Sequence, residues 1–179
     1  MDLSAPHRVP LTWLMANGSE AIQLRTAREL APPGSADPAV HEIALLESKT
    51  IQAITRKQKD NGVWGGNLLG VNRSAKDGIK DVGTIQQYRR LIQLGYPLTG
   101  RPFKLADRLL WRYLSRDEDP GLLFEHKKTV KAAPSANDWV RNHLREAATC
   151  ALAEAGHADD PRIRGSAHRI ATGVSQFLR

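Results

Sequence analysis

Apolar residues recur mainly at the spacing of an α-helix. The clearest run falls within residues 139–155 and consists of Val140, Leu144, Ala147, Ala148, Ala151, Leu152 and Ala155. Gly156 ends this run, and Asp160 with Pro161 supplies the N-cap and first residue of a further helix. The apolar side of that last helix comprises Ile163, Ala167, Ile170, Val174, Phe177 and Leu178. No stretch alternates with the period of two that is typical of a strand, so the pattern predicts an all-α fold.

The same sequence of helix, break and proline-initiated helix occurs twice more. A helix at about 19–31 breaks before Pro38, and a helix at 84–94 breaks before Pro102. With Pro161, these restart prolines are 64 and 59 residues apart. The spacing predicts one repeat domain, 1–179, of antiparallel αα-hairpins stacked as an arc. The expected hairpins cover about 11–60, 83–115 and 138–179, joined by loops at 61–82 and 116–137.

A short motif follows the second helix. Gln58, Gly62 and Trp64 form the pattern Q-x-x-x-G-x-W, with Asp60 and Asn61 before the glycine. A turn there would bring the Trp64 ring back onto the Gln58 amide, and Gln58 could cap the end of a neighbouring helix. We interpret the motif as a structural clip rather than a reactive site.

This pattern resembles the repeat motif of squalene and oxidosqualene cyclases. It also looks like the helical toroid of protein prenyltransferase β-subunits, where inner and outer helices alternate. The resemblance implies a partial α/α toroid, about half a ring, over residues 11–179, with the motif present once. It implies no activity by itself, because one fold hosts many functions.

The catalytic signatures of those families are incomplete in this sequence. Class II terpenoid cyclases protonate their substrate with D-x-D-D, whereas residues 117–120 read D-E-D-P. Residues 159–163 read D-D-P-R-I and lack the last acid of the magnesium-binding pattern D-D-x-x-D. Cys150, the single cysteine, adjoins Ala151 on an apolar stripe and is expected in the core. We therefore expect no catalytic residue, no metal and no cofactor, with a partial or divergent cyclase-like or prenyltransferase-like enzyme as the alternative.

Positive charge gives the clearest indication of a partner. The 26 Lys and Arg exceed the 19 Asp and Glu by seven, which favours anionic partners. Four cations recur every four residues on one predicted helix, and two more lie on the preceding helix: Lys104, Arg108, Arg112 and Arg116, then Arg89 and Arg90. This basic stripe predicts contact with an anionic ligand or a partner protein, unless it is only a solvated helix side. Nucleic acid is a second alternative, for which binding would weaken steeply with salt.

Two further features concern location. No apolar run approaches the roughly 18 residues of a membrane-spanning helix, so no span is expected. A single cysteine cannot form an internal disulfide, which favours a reducing compartment and hence the cytoplasm. Together these features predict a cytoplasmic, non-catalytic helical-repeat module that serves in binding or as a scaffold.

Overall fold

A computed structural model describes residues 10–71 and 81–179. Within these ranges the chain is all-α and contains no β-strand, which confirms the predicted fold class. The helices are α1 Leu11–Asn17, α2 Glu20–Arg25, α3 Pro38–Glu47, α4 Lys49–Thr55, α5 Thr84–Gln93, α6 Arg101–Leu114, α7 Lys127–Ala132, α8 Asn137–Leu152 and α9 Pro161–Phe177. The π-helical turns Thr26–Leu30 and Ala153–His157 follow α2 and α8, and the 3₁₀ turns Pro120–His126 and Pro134–Ala136 flank α7. No helix in the described ranges is both long and apolar enough to cross a membrane.

The chain divides into two compact units. One is Met1–Ala53 with Gln93–Tyr96, and the other is Ile54–Ile92 with Pro97–Arg179. A single repeat domain over 1–179 and an arc or partial toroid of helix pairs both stay predictions.

The first unit is built around α2, which packs on α1 and α3. Its buried side chains include Ala21, Leu24, Ala27, Leu45 and Ile51. Asp37 caps α3 as expected, because its carboxylate accepts the backbone N–H of Ala39 at 2.9 Å. The predicted two-helix hairpin over 11–60 is wrong, since this stretch holds four helices. The extra breaks fall at Gly18 and Ser48, both of which have extended ψ angles, 153° and 143°.

The second unit is built around α6, which packs on α8. Its largest fully buried side chains include Trp64, Tyr88, Phe103, Leu110, Leu144 and Leu152. The apolar run predicted on α8 is confirmed as a core-facing side, with only Ala147 partly exposed. Asp160 caps α9 through the backbone N–H of Arg162 at 2.9 Å, also as predicted.

Two predictions about the second unit are wrong. Residues 116–137 are not a plain loop, because they contain α7 and both 3₁₀ turns. Residues 72–80 of the other predicted loop lie outside the described residues. On α9, only Ile163 of the predicted apolar side is buried, whereas Val174 is 54% and Phe177 88% exposed. The apolar residues of α9 do recur at helical spacing, but other described residues bury this side of the helix only in its first turn, at Ile163.

Candidate anion-binding groove

The Q-x-x-x-G-x-W motif forms a buried turn in the second unit. Trp64 is 1% exposed, and its indole Nε1–H donates to the carbonyl oxygen of Ile54 at 2.8 Å. The Gln58 amide donates to the carbonyl oxygens of Pro102, in the first turn of α6, at 2.9 Å and of Gly62 at 3.3 Å. The expected burial of Trp64 is confirmed, and Gln58 connects the motif to the beginning of α6.

Gly62 brings the motif against the middle of α6. Its φ angle of +83° lies in the left-handed region that favours glycine. A Cβ atom at this position would lie less than 3 Å from the Leu105 carbonyl oxygen, inside contact distance. The packing therefore requires glycine at position 62, and the role of the motif is structural: it holds this turn against α6.

A second set of polar contacts fixes the loop after the motif. Both carboxylate oxygens of Glu125 accept backbone N–H groups, from Leu68 at 2.9 Å and Leu69 at 2.7 Å. Thr84 accepts the backbone N–H of Trp64 at 3.1 Å. The sequence contains no indication of this role of Glu125. Glu125 and Leu68 are 57 residues apart in the chain, and a single sequence carries no signal for a contact at that distance.

The predicted basic stripe separates into paired and unpaired cations. The Arg112 guanidinium donates to Asp117 at 2.7 Å and to Asp119 at 2.9 Å, and Arg89 donates to Glu154 at 2.7 Å. The other four members are exposed and form no ion pair with a described residue: Lys104, Arg108, Arg116 and Arg90. The stripe is therefore not a continuous row of uncompensated charge.

Uncompensated positive charge gathers instead where α6 ends beside α8 and α9. The Arg145 side chain is held on α8, because its Nε–H donates to the Tyr113 carbonyl oxygen at 3.1 Å and Nη1 donates to Asn142 at 2.8 Å. Burial lowers the pKa of Arg145, and the nearby charges of Arg169 and Arg116 lower it further. We call Arg116, Arg145 and Arg169 the arginine cluster.

No member of the arginine cluster forms an ion pair with a carboxylate in the described part of the chain. Glu118 is close enough to raise the pKa of Arg145, but it forms an ion pair with Arg141 at 2.9 Å. The Nη2 group of Arg145 and the whole Arg169 guanidinium donate to no described residue. These free N–H groups point to an anionic ligand, since a guanidinium binds carboxylate or phosphate through paired hydrogen bonds.

A groove of about 450 Å³ lies between α8 and α9 and includes two members of the cluster. Its polar lining consists of Asn142, Arg145, Glu146, Ser166 and Arg169, and its apolar lining of Ile170, Val174 and Phe177, with Gly173 between them. Ser166 lies within 2.8 Å of the Thr149 hydroxyl on α8, which ties the two helices together at one end of the groove. The groove thus places two arginines and one carboxylate, Glu146, beside apolar surface.

The acidic sequence D-E-D-P and the single cysteine, Cys150, lie outside the lining of this groove. No group of three or more His, Cys, Asp or Glu side chains in the described ranges could hold a metal ion. Cys150 is exposed, so its expected place in the core is wrong. The Arg112 guanidinium lowers the pKa of Asp117, and the Gly121 backbone N–H together with Arg112 lowers that of Asp119. The two aspartates of the D-E-D-P sequence are therefore ionised near neutral pH and hold no proton to donate.

No family model, curated protein or solved structure matches the chain. The resemblance to cyclase and prenyltransferase toroids consequently stays a prediction from the single Q-x-x-x-G-x-W motif.

Proposed function

We propose that the chain is a non-catalytic helical binding module that holds an anionic group of a ligand or partner protein at the arginine cluster. One observation carries this proposal: Arg145 is partly buried near the positive charges of Arg116 and Arg169, and none of the three forms an ion pair with a described residue. An anion bound there would offset both the repulsion of Arg145 by its two neighbours and the partial loss of water around it.

The backbone at Arg116 supports the same proposal. Its φ angle of 55° is left-handed, a conformation that costs a non-glycine residue about 1 kcal/mol. It follows the end of α6, where glycine is the usual residue, because the next N–H, of Asp117, turns back to the Arg112 carbonyl oxygen at 3.1 Å. An arginine at such a position is explained if its side chain is needed beside Arg145 and Arg169.

A partial or divergent cyclase-like or prenyltransferase-like enzyme is the second candidate. The packing of Gln58 and Gly62 against α6 favours it, because this packing fits the structural clip that the motif predicts. Such an enzyme would need a protonated acid, and the ion pairs of Arg112 with Asp117 and Asp119 oppose that. The other alternative, a nucleic-acid-binding repeat, is less well supported. Two of the six cations of the basic stripe are already neutralised, because Arg89 pairs with Glu154 and Arg112 pairs with Asp117.

We also propose a cytoplasmic location for this module. The exposed thiol of Cys150 supports a reducing compartment, because an exposed free thiol is readily oxidised elsewhere. Fractionation of cells that express the full chain would test this part, and recovery with a membrane or secreted fraction would contradict it.

The binding proposal is tested with inorganic pyrophosphate as a probe on the full chain. We expect the side-chain Nε–Hε NMR signals of Arg145 and Arg169 to shift along a saturable curve as pyrophosphate is added. Arg169→Ala should weaken the apparent affinity about fivefold, since it removes one of the free guanidinium groups. The matched control is Arg164→Ala, because Arg164 is exposed on the same helix about 140° away and forms no ion pair with a described residue.

Two results would contradict the proposal. Linear, non-saturating shifts would indicate general screening by the anion rather than a site. Equal losses for Arg164→Ala and Arg169→Ala would indicate that net charge alone governs binding.

A further inference from the structure

We propose that the groove between α8 and α9 binds an amphipathic helix of a partner protein, whose acidic side chains pair with Arg145 and Arg169 while its apolar side packs on α9. This inference rests on the proposed function and names the partner's chemistry. It follows from three features of the groove: an uncovered apolar row, the adjoining free cations and a glycine that leaves room for close approach.

The apolar row lies on the second half of α9. Ile170, Val174 and Phe177 are spaced i, i+4 and i+7, so they share one side of the helix over about 10 Å. Val174 is 54% and Phe177 88% exposed, whereas Ile163, on the first turn of α9, is buried. The apolar side of this helix is thus buried at Ile163, partly exposed at Ile170 and mostly uncovered at Val174 and Phe177.

The cations stand directly beside this row. Arg169 precedes Ile170 in the chain, and Arg145 projects from α8 into the same groove. An apolar peptide alone would leave these charges without partners, and a simple anion would leave the apolar row exposed. A helix with carboxylates along the border of its apolar side satisfies both parts.

Gly173 supplies space in the middle of the groove. It lies inside α9 and nothing stands within 4 Å of the place that a Cβ would occupy. A glycine within a helix costs roughly 1 kcal/mol relative to alanine, and no contact in the described chain explains it. At Gly173, unlike Gly165 on the same helix, the open space faces the groove and would admit a second backbone.

A helix suits this groove better than the other protein occupants. The lining residues of α9 recur at i, i+3, i+4, i+7, i+8 and i+11, which is the side that one helix offers to another. The described chain has no strand whose edge an extended peptide could join. A second copy would bring its own +7 charge and its own arginine cluster to the same place, which opposes pairing.

The experiment selects peptides on the full chain from a displayed library of random 16-residue sequences. The enriched peptides are then compared on the double variant R169E/F177S, in which both substituted side chains are exposed, so that the variant is expected to fold. We expect the enriched peptides to show apolar residues at i, i+3 or i+4 and i+7, flanked by Asp and Glu. In fluorescence anisotropy, a labelled peptide from this selection should bind the double variant at least about tenfold more weakly than it binds the wild type.

Two matched controls separate charge from shape. The same selected peptide, with every Glu changed to Gln and every Asp to Asn, should bind at least about fivefold more weakly than the original. This loss of affinity should be smaller at high salt. The chain variant Arg164→Glu should bind the original peptide with an affinity within about twofold of that of the wild type, because residue 164 lies on another side of α9.

Four results would overturn this inference. One is enrichment of peptides that lack acidic residues or helical spacing, and another is equal binding to the R169E/F177S variant. The third is a dimer of the chain itself that Phe177→Ser abolishes in analytical ultracentrifugation, which would make a second copy the occupant. Saturable pyrophosphate binding without any groove-dependent acidic helix would overturn the inference and leave the proposed function standing.

Discussion

The indole of Trp64 closes the end of α4, because its Nε1–H donates to the carbonyl oxygen of Ile54 at 2.8 Å. That oxygen lies in the last turn of α4, where carbonyl groups lack partners further along the helix. The backbone N–H of Lys57 also donates to it, at 3.2 Å. The Trp64 ring is at the same time a fully buried part of the core, so one side chain links the end of a helix to packing.

Replacement of Trp64 therefore has two separable effects. Trp64→Ala should lower the free energy of unfolding by about 3 to 5 kcal/mol through loss of core packing. Trp64→Phe keeps a ring but loses the N–H donor and should cost about 1 to 3 kcal/mol. Denaturant titration measures both, with Trp139→Ala as the control, since Trp139 is 64% exposed. Equal, small losses for Trp64→Ala and Trp139→Ala would contradict the role of the motif.

Gly62 offers a test of close packing as distinct from backbone strain. Alanine there meets both a positive φ and the Leu105 carbonyl oxygen, so Gly62→Ala should cost about 3 kcal/mol or more. Gly156→Ala is the matched control, because Gly156 has a φ of +91° with nothing near its Cβ position. It should cost only about 1 to 2 kcal/mol in the same unfolding measurement. A Gly62 variant no less stable than the Gly156 variant would show that α6 moves aside.

The sequence predicts the elements better than it predicts the contacts between them. Local chemistry is sufficient for the caps at Asp37 and Asp160 and for the buried side of α8, and all three are confirmed. It is not sufficient for α9, where the apolar period continues although no described residue covers Phe177. The candidate site was only partly foreseen, since the basic stripe includes Arg116 but not Arg169. Their meeting depends on tertiary packing, which spacing along one helix does not encode.

Arg112 and Arg108 are equivalent in the sequence pattern but not in the structure. Arg112 pairs with Asp117 and Asp119 beyond the end of α6, whereas Arg108 is exposed and forms no ion pair with a described residue. Arg112→Glu should lower the melting temperature by about 3 °C or more, because it places three carboxylates together. Arg108→Glu should leave it within about 1 °C. Thermal scans followed by circular dichroism compare the two, and equal shifts would contradict the structural role of Arg112.

The same ion pairs make part of the stability depend on acid. The Arg112 guanidinium lowers the pKa of Asp117, and the Gly121 backbone N–H with Arg112 lowers that of Asp119. Carboxyls with a lowered pKa in the folded state stabilise it above their unfolded pKa, near 4, and this contribution is lost as the pH falls through the folded-state values. The difference in melting temperature between wild type and Arg112→Gln should therefore be constant from pH 5 to 7, values chosen for the test, and shrink below about pH 4. A difference that stays constant into the acid range would show that Arg112 acts through packing alone.

We expect Gly173 to lower the stability of the folded chain while leaving room for a bound helix in the groove. It lies inside α9 with open space around it, so Gly173→Ala should stabilise the isolated chain by about 0.5 to 1 kcal/mol through helix propensity. The added methyl group would project into the groove and should weaken an acidic helical peptide selected on the wild type by about fivefold or more. Gly165→Ala is the matched control, because Gly165 is also inside α9 with nothing near its Cβ position but does not line the groove. It should give the same stabilisation in denaturant titration and leave peptide affinity unchanged in anisotropy. If both alanine variants bind the peptide as tightly as the wild type, close approach at Gly173 is not part of recognition, and the glycine would then have no role in the groove.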